Sequence, residues 1–165
     1  MKGLSAVYNP FRRMTSGYYG GLEGIMHLQM RGDDLYPTRG EEPYIWEYLS
    51  FVNTTNTKDL SWGNIYEGIQ MANEFIYRAA TVDMDETKRE QMIGEAYFLR
   101  GFWYFRLRTD YRDAVIRTLP QDADPETHGL SSGDEVLEQA ISDFKEAKSR
   151  LPKLRSSDEN GRVTQ

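Results

Sequence analysis

Apolar residues recur at helical spacing in four stretches of this chain, and two long irregular connections interrupt them. The densest stretch is residues 95–111, EAYFLRGFWYFRLRTDY. Met92, Ala96, Leu99, Trp103 and Leu107 step through it by four, three, four and four, which is the helical period. Ile93, Tyr97 and Tyr104 form a second stripe beside the first, while Phe98, Phe102 and Phe105 point away from both. A helix apolar around most of its circumference needs neighbours on several sides. The pattern therefore predicts a central helix within an all-α assembly.

Upstream, Trp62, Ile65, Tyr66, Ile69, Ala72, Asn73, Ile76 and Ala79 keep the same spacing from Ser61 onward. The next helix start is either Asp85 or Thr87, the latter forming a capping box with Glu90. The connection is short, so residues 61–111 are expected to form an antiparallel helix hairpin. A further helix within residues 131–152 opens on Ser132 and Glu135 and stops at Pro152. Its stripe, Val136, Leu137, Ala140, Ile141, Phe144, Ala147 and Leu151, is one-sided. No hairpin partner follows it, as in a helical-repeat array cut short. Residues 8–30 carry Phe11, Tyr18, Leu22 and Ile25 near a helical spacing after Pro10, a residue favoured early in a helix. Gly17, Gly20, Gly21 and Gly24 in that stretch either permit close helix contact or break the helix.

The irregular connections span residues 31–60 and 112–130. A thirty-residue segment without regular structure is unusual in a compact domain and is more often functional than not. Length allows one domain with its own core, and a net charge of −6 argues against a nucleic-acid backbone or an anionic membrane as principal partner. The chain has no cysteine, which excludes disulfides, thiol nucleophiles and cysteine-ligated metals. As written it carries no signal-peptide core and no apolar run long enough to span a membrane, so it is either cytoplasmic or lacks its targeting segment.

Candidate chemistry is sparse. His27 and His128 are the only histidines, and neither stands at ligand spacing to another. Nucleophile-elbow, P-loop and dinucleotide glycine motifs are absent. Asp122, Asp124 and Glu126 lie close in sequence but lack the glycine and spacing of a calcium loop, so they read as solvated charge. No catalytic residue, metal or cofactor is predicted. On the buried helix, Glu95 and Arg100 read as a structural polar pair or as caps for neighbouring helix ends. Trp62 and Asn73 read as packing and hydrogen-bonding groups inside the hairpin.

The central stretch also carries a resemblance. Glu95, Ala96, Phe98, Leu99, Arg100, Gly101, Tyr104, Phe105 and Leu107 stand as E-A-x-F-L-R-G-x-x-Y-F-x-L, which resembles the signature of the SusD/RagB family. These are outer-membrane nutrient-binding lipoproteins of Bacteroidota. Trp62, Ile65, Tyr66, Ile69, Ala72 and Asn73 are similar to that family's preceding helix. Asp134–Val136, Asp143, Ala147, Leu151–Pro152 and Gly161–Thr164 are similar to its following segment. The resemblance covers residues 61–165 well and 1–60 loosely. Two features depart from the family: Arg112 follows Tyr111 where the family usually has glycine, and the lipidated N-terminal cysteine is missing.

The resemblance implies a TPR-like helical bundle with long irregular loops, a SusD-like N-terminal domain over residues 1–165 truncated from a longer protein. It implies non-catalytic binding of oligosaccharide or polysaccharide at the outer-membrane surface, with a lipid anchor not present in this chain. It also implies delivery to a SusC-like TonB-dependent transporter. Sugars stack on aromatic faces, while planar carboxylate and guanidinium groups hold their hydroxyls. Asp33, Asp34, Arg39, Tyr44, Trp46 and Tyr48 supply both kinds of group within the 31–60 connection and are the candidate glycan contacts. The competing readings are that Trp46 and Tyr48 tuck the loop onto the helices, and that the bundle is a TPR-like protein–protein scaffold without glycan contact.

Overall fold

The computed structural model describes residues 2–16, 62–159 and 161–165. Four α-helices lie among them: α1 (Lys2–Ser16), α2 (Trp62–Ala79), α3 (Glu86–Asp110) and α4 (Gly133–Arg150). A single 3-10 turn follows at Ser157–Glu159. Among the described residues the only β-pairing is an isolated antiparallel bridge between Ala114 and Ser131, so the architecture is all-α. The chain divides into two compact units, Met1–Tyr8 with Ile65–Gln165, and Asn9–Asn64.

The central helix is α3. Asp85 caps it, its side chain accepting from the Lys88 amide at 2.9 Å, which settles the choice between Asp85 and Thr87. Its buried set includes Ile93, Ala96, Leu99, Trp103, Tyr104 and Leu107, drawn from both predicted stripes, and Phe105 on the opposite side is exposed. Gly68 of α2 lies against the Trp103 indole, and Asn73 lies against Arg100. Positions advancing along α2 thus meet positions receding along α3, so the two run antiparallel. The other side of α3 meets α4 in the same way: Gly94 faces Arg150 and Leu151, and Gly101 faces Ala140, Asp143 and Phe144. A Cβ at Gly101 would stand 3.1 Å from the Ala140 carbonyl oxygen, so glycine sets how closely these helices approach. Phe98 and Phe144 pack beside that contact with their rings tilted 50° to each other and centroids 5.6 Å apart.

The expected capping box of α4 is present, with Ser132 accepting from the Glu135 amide and the Glu135 carboxylate accepting from the Ser132 amide at 2.8 Å. The helix closes at Leu151, before Pro152. One expected element differs. The first helix starts well before Pro10 and carries that proline in its interior. Leu4 and Val7, both buried, extend the Phe11 stripe backwards by the helical spacing, so their burial outweighs the amide hydrogen bond that proline forfeits. The four glycines between residues 17 and 24 lie outside the described residues.

The turn after α3 explains the departure at Arg112. Arg112 has φ +71°, a left-handed conformation that glycine adopts without steric cost. The turn is held from outside: the Asp113 carboxylate accepts from the first amide of α4, Gly133 N, at 2.8 Å, and the Ala114–Ser131 bridge lies just beyond. Tertiary contacts thus impose on an arginine the backbone that glycine would take unaided. Arg112→Gly is expected to stabilise the fold by ~0.5–1 kcal/mol in chemical denaturation. A loss of stability would mean that the arginine side chain contributes more than its backbone costs.

Candidate functional site

The polar residues of the helical core are spent on holding irregular chain in place. Arg100 forms a two-pronged ion pair with Asp143, Nε to Oδ2 at 2.8 Å and Nη2 to Oδ1 at 2.7 Å. Its Nη1 donates to Asn73 Oδ1 at 2.8 Å and to the Thr118 carbonyl at 3.0 Å. Asn73 in turn donates from Nδ2 to the carbonyls of Arg117 and Leu119 at 2.9 and 3.2 Å. Gln139 supplies a further donor to Asp143 at 3.0 Å. Burial works against the Arg100 charge, but Asp143 outweighs it and the guanidinium proton is held more tightly than usual. The same burial pushes the Asp143 carboxyl up, against the pull of Arg100 and Gln139.

Two phenols complete the clamp. The Tyr66 hydroxyl accepts from the Val115 amide at 2.8 Å and donates to the Val115 carbonyl at 2.9 Å. The Tyr104 hydroxyl does the same for Arg117, accepting from its amide at 2.8 Å and donating to its carbonyl. Val115 and Arg117 are two apart, the repeat of an extended chain, so each hydroxyl stands in for a residue of a missing partner strand. Burial pushes both hydroxyls up, which keeps them protonated and able to donate.

A second buried node centres on Glu95. The tail after α4 brings Arg155, which donates to Glu95 Oε1 at 2.8 Å, and Arg162, which donates to both carboxylate oxygens. Tyr8 of α1 donates to Oε2 at 2.5 Å, and burial followed by the Glu95 charge pushes the Tyr8 hydroxyl up. Glu95 and Arg100 therefore do not pair with each other. Five residues apart on a helix, they point about 140° away from one another, and each serves a different neighbour. The Tyr66 and Tyr104 clamps have no signal in the sequence, since both residues sit where an apolar stripe expects a core aromatic.

The six candidate glycan contacts, Asp33, Asp34, Arg39, Tyr44, Trp46 and Tyr48, lie outside the described residues, as does His27. His128 pairs with Asp124 at 2.7 Å, and Asp122 reaches Arg78 at 3.5 Å. Arg117 donates to the backbone carbonyls of Asp124 and Glu126 at 2.9 and 2.7 Å. Among the described residues no cluster of histidine and acidic side chains is placed to hold a metal ion. Among them, too, no helix is long and apolar enough to cross a membrane.

Comparison with known proteins places this geometry. The chain is 26% identical to SusD-like protein P38 of Formosa agariphila over 155 residues, covering 90% of this chain and 29% of that protein. It is 27% identical to SusD-like protein P2 of the same organism, covering 90% of this chain and 30% of the relative. The chain thus spans about three-tenths of the length of these relatives. Among solved structures it is similar to a laminarin-binding SusD-like protein, with TM-score 0.83 and 27% identity over 99% of this chain and 36% of that one. A SusD superfamily protein from Bacteroides vulgatus superposes with TM-score 0.78 at 25% identity, over 98% of this chain and 35% of the other. The family model for SusD-like proteins, described as starch-binding and associating with the outer membrane, matches residues 33–165. With most of its length under that match and its signature residues performing the packing just described, the chain belongs to the SusD-like family.

Proposed function

We propose that the chain is a non-catalytic glycan-binding region that captures oligosaccharide or polysaccharide at the bacterial cell surface. The protein it serves is held at the outer membrane by a lipid anchor and passes the glycan to a SusC-like TonB-dependent transporter. The observation that carries this reading is the similarity, at 27% identity and TM-score 0.83, to a protein whose described ligand is laminarin. The family's starch-binding description supports the same ligand class. Within this reading Tyr44, Trp46 and Tyr48 offer stacking faces, and Asp33, Asp34 and Arg39 hold sugar hydroxyls.

Affinity electrophoresis of the chain through gels containing laminarin or soluble starch tests it. The expected result is retardation by at least one glycan, strongly reduced in the Trp46→Ala/Tyr48→Ala double variant. Unretarded migration in both gels overturns the proposal, as does sustained release of product from a glycan panel, which would make the protein a hydrolase. Retention unchanged in the double variant, together with loss of co-purification with the transporter, would favour the protein–protein scaffold instead.

A further inference from the structure

Residues 152–165, after α4, close on themselves into a compact loop. The Gln165 amide donates to the Pro152 carbonyl at 3.0 Å, so the ends of the loop meet. The Gln165 side chain donates to the Lys148 carbonyl at 2.8 Å. Within the loop, Arg155 Nε donates to the Val163 carbonyl at 2.8 Å, and Glu159 accepts from both Arg155 and Arg162. Both arginines reach α3 through one carboxylate. Glu95 Oε1 accepts from Arg155 and Arg162, while Oε2 accepts from Arg162 and from the Tyr8 hydroxyl. The Glu95 side chain is 0% exposed and that of Arg155 is 4% exposed. Helix α1 arrives at the same carboxylate with Leu4 and Val7 buried and with Gly3 against the Phe75 ring of α2.

A carboxylate shut away from water must keep its donors, because an unpaired buried charge is costly. Two guanidiniums here face the carboxylates of Glu95 and Glu159, so closing the loop buries no net charge. With the loop lifted away, both guanidiniums leave, and among the described residues the neutral Tyr8 phenol is the one donor left to Glu95. The docked position of α1 then encloses an uncompensated charge, which is relieved when Tyr8 moves off and water enters. With α1 lifted away instead, water reaches the carboxylate and competes with both guanidiniums. We infer that Glu95 is a lock that couples the docking of α1 to the closure of the 152–165 loop. Each segment is held more tightly when the other is in place, and the coupling is reciprocal. A partner that draws the loop off α3 loosens α1, and one that seats α1 tightens the loop.

Hydrogen exchange read by mass spectrometry tests this on the chain, on Tyr8→Phe, on Arg162→Ala and on the double variant. Tyr8→Phe removes one hydroxyl from α1 and touches nothing in the loop. It is expected to speed exchange of the bonded loop amides of Glu159, Arg162 and Gln165 by roughly fivefold or more, the lower end of ordinary coupling between sites. Arg162→Ala, made in the loop, is expected to speed exchange across residues 4–8 of α1 to a similar extent. The α4 amides from Val136 to Ile141 are the reference and should be unchanged in both. In the double variant the loss of protection should fall short of the sum of the two single losses. A response on neither side, or on one side only, overturns the lock, and so do additive losses. An equal rise in exchange at α1, the loop and α4 overturns it in favour of a general loss of stability. Where Arg162→Ala does not fold, Arg162→Lys takes its place, since it keeps the charge but loses the forked donation to Glu95.

Discussion

Arg100→Ala is expected to cost about 3–5 kcal/mol of folding stability, the range for removing one partner of a buried ion pair. The side chains of Arg100 and Asp143 are only 5% and 2% exposed, so the deletion leaves a carboxylate in the core with Gln139 as its main remaining donor. Asn73 Oδ1 and the Thr118 carbonyl lose a donor at the same time. Against a total stability of about 5–15 kcal/mol, the melting temperature should fall by roughly 6–20 °C for a chain of this size. Because Arg100 also holds the 114–119 segment, limited proteolysis should cut residues 112–130 earlier in the variant than in the parent. Replacing both members by apolar residues of similar volume should recover much of the loss, since the desolvation of both charges disappears with them. A loss below about 1 kcal/mol, typical of exposed pairs, would show that water reaches the pair in solution.

Trp103→Ala should be comparably damaging, at about 3–5 kcal/mol for deletion of a buried aromatic. Trp103 is 1% exposed and lies against Gly68, where an added Cβ would fall 2.3 Å from the indole nitrogen. This gives a paired expectation. Gly68→Ala should cost about 1–3 kcal/mol by overpacking in the parent chain and much less in the Trp103→Ala background, where the indole is gone. Urea denaturation of the two single variants and the double variant measures that coupling. Additive losses would mean that the ring does not occupy the space above Gly68, and α3 would no longer qualify as the centre of the fold.

The helices after residue 61 are written in local sequence. The steps of three and four through Met92–Leu107, the Ser132–Glu135 capping box and the stop before Pro152 each depend on residues within a few positions of one another, and the structure carries all of them. Family membership was equally local, because the signature lies in one helix and its immediate flanks. Tertiary structure alone decided what the polar signature residues do. Glu95 and Arg100, neighbours in sequence, meet Arg162 and Asp143, which lie 67 and 43 residues away. Tyr66 and Tyr104 act through hydroxyls whose partners are backbone atoms of the connection after α3, 49 and 13 residues away. Arg112 is held left-handed by a turn tied to α4, although its own side chain disfavours that conformation. Periodicity reports which face of a helix is buried. It carries no information about which remote donor or acceptor will stand opposite a polar group on that face, since that choice is made only when the helices pack.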